Sequence, residues 1–236
     1  MSTETGYDPE LMAAVSELGD AVRGLVAASV RTTVPAQDLQ EVAATARELT
    51  ARLSARTRER HQLPELDDPI AFRRVFSPVT GVGSAVAPPL QIRSDPSGEG
   101  VVAEASFGLQ YEGPPGFLHG GMSGLLMDQM LGTATIRAGL WGMTAHLELD
   151  YRGPVPLDTP VVLRAWVVES HGRRTTMAGS IALATEPDRA LVEVSGVFVT
   201  PREDKLAAYF GDITDASGQH RPPGRATDAT ALHEDR

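Results

Sequence analysis

The 236-residue chain has no cysteine. That removes disulfides, thiolate zinc sites and a cysteine nucleophile at once, and is what a reducing compartment would favour. Basic residues are the second shortage: 21 Lys and Arg against 31 Asp and Glu leave a formal charge of −10. General nucleic-acid binding needs clustered cations for phosphate contacts, so it is not expected. No apolar run approaches the ~18 residues of a membrane span. The opening MSTETGYDPE is polar and acidic, unlike a signal peptide, and a cytoplasmic location is expected. What is present is a soluble, globular balance, 42% hydrophobic and 22% charged, long enough for one sizeable core with additions at both ends.

Three zones follow one another. Leu11, Val15, Leu18, Val22 and Leu25 recur at helical spacing, as do Leu39, Val42, Ala46, Leu49 and Leu53, with Val34-Pro35 between them. Residues 1–61 are therefore expected to form an N-terminal helical hairpin, serving as a cap or an oligomerisation element. Residues 62–87, with Pro64, Pro69, Pro78, Gly81 and Gly83, read as a connector. From 88 to 201 the period drops to two. Residues 101–111 alternate. In 144–151, Ala145, Leu147, Leu149 and Tyr151 alternate with Thr144, His146, Glu148 and Asp150. VVLRAWVVE, TMAGSIALA and ALVEVSGVFV then follow, separated by the turns SHGRR and EPDR. Short turns between strands imply a mainly antiparallel sheet. One helix, about 119–138, interrupts the strands. It is apolar almost all round, so an α+β plan with the sheet wrapped about that helix is expected. Residues 202–236 carry a short helical candidate, Lys205 to Phe210, and then a polar tail expected to be disordered.

The chemistry concentrates around the lone helix. Asp128 is an acid in an apolar segment, costly to bury unless paired or used. At ~100° per residue its face carries Gly121, Gly124, Gly132 and Thr135, nearly free of side-chain bulk. Either a sheet or partner helix packs closely there, or a ligand reaches Asp128. The acid could be a base or nucleophile, or a carboxylate satisfied by local donors. Gly120 and Gly121 stand at the helix start, where free amides and the helix dipole suit an oxyanion, or where glycine merely eases the turn. His119 is an acid–base candidate or a structural hydrogen-bonding group. Thr144 could be only a β-former on a polar strand face.

The motifs HGGMSGLLMD, from His119 to Asp128, and MTAHLELDYRGPVPL, from Met143, carry a resemblance. Residues Gly113 to Pro201 resemble the hotdog-fold acyl-CoA thioesterases of the PaaI-like and THEM-like group. The resemblance implies a long central helix wrapped by an antiparallel sheet, in homodimers or tetramers with active sites shared between subunits. It implies acyl-CoA as substrate, with CoA present only as part of it, and no cofactor or metal. It also implies roles: Gly120 polarises the thioester carbonyl through its amide, and Asp128 of the partner subunit acts as base or nucleophile. Thr144 positions the water or the acid, and His119 holds the loop. Gly121 and Gly124 would leave room for substrate, and Arg152, Arg173 and Arg174 are candidate partners for CoA phosphates. Some relatives carry Asn six residues before the His, where this chain has Gly113. No Asp-to-His segment of the hydratase kind is visible, and a non-catalytic acyl-CoA-binding module is the alternative.

Overall fold

The computed structural model describes residues 7–68, 72–98, 100–215 and 217–220. The tail beyond 220, expected to be disordered, lies outside them. Helix α1, Pro9–Ser29, starts where Asp8 caps it. The Asp8 carboxylate accepts from the Glu10 and Leu11 amides at 2.9 and 3.3 Å, with Pro9 in the first turn. One face docks on the 82–84 loop. Gly19 is buried there, and a methyl at its position would lie 2.1 Å from the Val82 carbonyl oxygen. Arg23 donates to the Val82 and Ser84 carbonyls at 2.8 and 2.6 Å. Helix α2, Ala36–Leu53, follows after a short turn but buries none of its residues. Leu39, Val42, Leu49 and Leu53 stay about half exposed.

Among its described residues the 62–87 stretch holds no helix or strand, yet it is more than a passive connector. Leu66, Val75, Val79 and Ala87 are buried, and Val79 joins the main core. The side chain of Asp67 is buried and accepts from the Val75 amide and from Arg74, both at 2.7 Å. Local side-chain bonds of this kind replace the ladders that the prolines prevent.

Among the described residues six strands form one sheet: β1 Arg93–Ser94, β2 Val101–Ala105, β3 Met143–Tyr151, β4 Val161–His171, β5 Arg174–Leu183 and β6 Ala190–Val199. They run in the order β1-β2-β4-β5-β6-β3, all neighbours antiparallel. Helix α3, Gly120–Arg137, crosses one face. This is the expected α+β plan. Leu126, Met127, Met130 and Leu131 of α3 are fully buried against Val101, Ala103, Leu163, Ala165, Met177, Ile181 and Val192. Each large side chain so buried contributes roughly 1.5–3 kcal/mol. Helix α4, Glu203–Phe210, is the last helix among the described residues.

The alternation over 101–111 does not give one strand. β2 ends at Ala105, and Leu109–Tyr111 form a 3₁₀ turn closed by the Tyr111 amide on the Gly108 carbonyl at 3.0 Å. Phe107 accounts for the break. It is fully buried, with its ring edge-on to Tyr111 at 6.2 Å. Burying that ring takes precedence over continuing the ladder, and the turn delivers Tyr111 to the site.

Candidate active site

Helix α3 runs opposite in direction to β3, so the two are read side by side. Gly120 lies against Tyr151, Gly124 faces Leu149, and Asp128 meets Thr144. The Thr144 hydroxyl donates to Asp128 Oδ1 at 2.7 Å. Strict alternation would forbid this contact, because it puts Thr144 on the face opposite Leu147, Leu149 and Tyr151. A β-bulge intervenes: Thr144 pairs with Phe198, whereas His146 pairs with Val197, leaving Ala145 extra. The bulge shifts the phase by one residue and aims Thr144 at the helix. Thr144 thus belongs to the helix-facing side of the strand.

Asp128 is half-buried rather than buried as its neighbours suggested. The cause is topological. β3 is an edge strand, so no further strand among the described residues covers α3 beyond it. Its helix face is as bare as the glycine spacing implies. A methyl at Gly124 would sit 3.9 Å from Leu149 Cδ1, and one at Gly132 would sit 3.6 Å from Phe198 Cε1, both ordinary contacts. Close packing within the chain therefore does not require either glycine, and the space beside Asp128 is left open.

At the other end, the backbone around Gly120 is pinned group by group. The His119 N–H donates to the Tyr111 carbonyl at 2.9 Å. The His119 carbonyl accepts from the Met122 and Ser123 amides at 2.9 and 3.3 Å. His119 Nδ1 accepts from the Gly121 N–H at 3.0 Å, so His119 is the N-cap of α3 and its ring proton belongs on Nε2. The Gly120 carbonyl accepts from the Tyr151 hydroxyl at 2.9 Å. The Gly120 N–H has no acceptor among the described residues. It stands at the positive end of the α3 dipole. Burial pushes the Tyr111 phenol above its usual range, and that hydroxyl remains a donor, to the Val86 carbonyl. Gly113 fits this loop closely: a Cβ there would lie 2.7 Å from His119 Cα, so the position has no room for an asparagine.

The three arginines are not brought together. Arg152 follows β3 at the Gly120 end and is held by Glu193 at 2.9 Å and Asp150 at 3.2 Å, on the sheet face away from α3. The Glu193 hydrogen bond, with the Asp150 charge behind it, raises its guanidinium further above the usual value. Arg173 and Arg174 stand at the β4–β5 turn, level with Met143 at the Asp128 end, and Arg173 donates to the Thr200 carbonyl at 3.1 Å. Nine strand residues, ~30 Å, separate the two locations. Among the described residues no three His, Asp or Glu side chains gather as a metal site would require.

Gly120 and Asp128 are eight residues apart on α3, which is ~12 Å along the axis. One carbonyl cannot touch both in a single chain, because reacting groups must approach to ~3–3.5 Å. Tyr151 is the residue that sequence reasoning left without a role. Its hydroxyl at the end of an apolar alternation was the available signal.

Comparison with known proteins agrees with this architecture. A family model described as the thioesterase superfamily matches residues 115–188. A crystal structure of a thioesterase superfamily protein is 35% identical, with a TM-score of 0.69 over 78% of this chain and 94% of that one. The chain belongs to the thioesterase superfamily and has its hotdog fold, a long helix held against an antiparallel sheet. Among curated relatives, acyl-coenzyme A thioesterase THEM4 of Mus musculus is 36% identical over 74 residues, 31% of this chain and 32% of that protein. THEM4 of Xenopus laevis is 37% identical over 67 residues, 28% of this chain and 30% of that one. The match thus spans about a third of these curated relatives.

Proposed function

We propose that this protein hydrolyses acyl-CoA thioesters to a free acid and CoA, at sites built from two copies of the chain. The observation that carries the reading is the Thr144–Asp128 hydrogen bond on a helix face cleared of side chains. Thr144 occupies Oδ1 and orients the carboxylate, so Oδ2 is available to a water or an acyl carbon. The thioester oxygen sits on the free Gly120 N–H of one chain, and Asp128 comes from the other. The ~12 Å between these groups along α3 supports that division.

Water adds to the acyl carbon while Asp128 accepts its proton. Negative charge gathers on the carbonyl oxygen, where the Gly120 amide stabilises it. The C–S bond then breaks and CoA leaves as a thiolate, so no strong general acid is needed. In the covalent variant Asp128 itself attacks. The resulting mixed anhydride is opened by water, and the same atoms are exchanged. Antiparallel pairing of two chains would set the Gly120 end of one beside the Asp128 end of the other. Arg173 and Arg174 are then the candidates for the CoA phosphates. Arg152 would have to exchange Glu193 and Asp150 for phosphate.

The test is thiol release across short, aromatic and long acyl-CoAs. Asp128→Asn is expected to lower kcat by roughly 10²–10⁴, the range of a positioned general base, with acyl-CoA still bound. Equal turnover by wild type and variant would remove Asp128 from the mechanism. Binding without release by the wild type would mark a binding module.

A further inference from the structure

Tyr151 ends β3 on the side facing α3, and its hydroxyl reaches the Gly120 carbonyl at 2.9 Å. The contact is made with the ring as well as the hydroxyl. A Cβ on Gly120 would lie 3.3 Å from Tyr151 Oη, 3.4 Å from Cζ and 3.5 Å from Cε1. A methyl on Gly120 would press on this hydroxyl, which would have to give by a few tenths of an ångström. The peptide unit joining Gly120 to Gly121 is held at both ends, its carbonyl by Tyr151 and its N–H by His119 Nδ1. The preceding unit is held through the His119 carbonyl by the Met122 and Ser123 amides. Gly120 and Gly121 open α3, and two glycines in sequence resist rotation of the backbone less than other residues would.

We propose that Tyr151 is a positioning residue for the Gly120 amide, clamping the glycine turn so that its one free N–H keeps the direction a substrate oxygen requires. This rests on the thioesterase reading above and adds a residue to it. The physical reason is preorganisation. A donor aimed before the charge develops needs no reorganisation when the carbonyl oxygen becomes negative. Tyr151 gains nothing from the substrate ground state, so its loss should appear in kcat rather than KM.

The experiment compares wild type, Tyr151→Phe and Tyr151→Leu in the full chain. Phe keeps the ring against Gly120 and removes only the hydroxyl. Its kcat for thiol release is expected to fall about tenfold, with KM within about twofold and a melting temperature lowered by no more than a few degrees, the worth of one hydrogen bond. Leu is expected to fall at least as far. Phe matching wild type in kcat overturns the proposal, and a lower Leu beside it would assign the role to ring packing alone. The second readout is ¹⁵N relaxation of the Gly120 and Gly121 amides without substrate. If the wild type releases no thiol from any acyl-CoA, the thioesterase reading fails, and this measurement decides Tyr151 by itself. Lower order parameters in Tyr151→Phe support the clamp, and unchanged ones overturn it.

Discussion

Gly120 combines a bare Cα under the Tyr151 ring with an N–H that has no acceptor among the described residues. Proline separates them. It suits the first helical position, where its missing N–H breaks no helix bond. His119, at φ −61° and ψ 132°, already has the extended backbone that precedes proline comfortably. The new ring would press on the Tyr151 hydroxyl, which sits 3.3 Å from the Cβ position and must yield by a few tenths of an ångström. Gly120→Pro is therefore expected to fold, to bind acyl-CoA, and to lose roughly 10²–10³ in kcat, as removal of an oxyanion donor does. Steady-state kinetics beside a thermal melt check this. Full activity in a folded Pro variant would show that the Gly120 N–H does not touch the reacting oxygen.

At the scale of elements, α1 is a docked piece whose attachment is narrow. Gly19 lets the helix backbone meet the Val82 carbonyl, and Arg23 fastens it with two bonds. Gly19→Ala puts a methyl where that carbonyl is. It is expected to cost about 1–3 kcal/mol and to loosen α1 selectively. Peptide-resolved hydrogen exchange should rise across residues 9–29 and stay unchanged in α3. Unchanged protection in α1 would place its anchoring elsewhere. Periodicity made the elements legible wherever it was long. α1, α2, α3 and β3 to β6 all stand in the segments their patterns marked. Two-residue β1 has no period to show, and the packed 62–87 stretch is built from side-chain bonds that leave no periodic trace. In the site, the spacing from His119 to Asp128 was readable, because one helix carries all of it. The Thr144 contact was not, because the bulge that creates it exists only in the pairing of β3 with β6. Tyr151 stood in view as one more apolar position until α3 was laid beside it.

The whole molecule leaves β3 at the sheet edge with most of its side chains exposed, Asp128 uncovered beyond it, and Gly120 ~12 Å away along α3. Two inactive variants should therefore repair each other. Mixing Asp128→Asn chains with Gly120→Pro chains under subunit exchange yields hybrids in which one site carries both lesions and the other carries neither. With random pairing about a quarter of wild-type activity is expected to return. Activity that stays at the level of the separate variants, with exchange verified by mass, would mean that each chain works alone.

The extra residue at Ala145 also separates two inheritances. On one side of it the strand obeys the hydrophobic code that builds the core, and on the other it obeys the geometry of the acid. A one-residue insertion or deletion at that point would turn the hydroxyl away from Asp128 while every core position stayed in register. Descendants of such a chain could abandon or acquire this acid–hydroxyl pair in a single step, with the fold indifferent to the change.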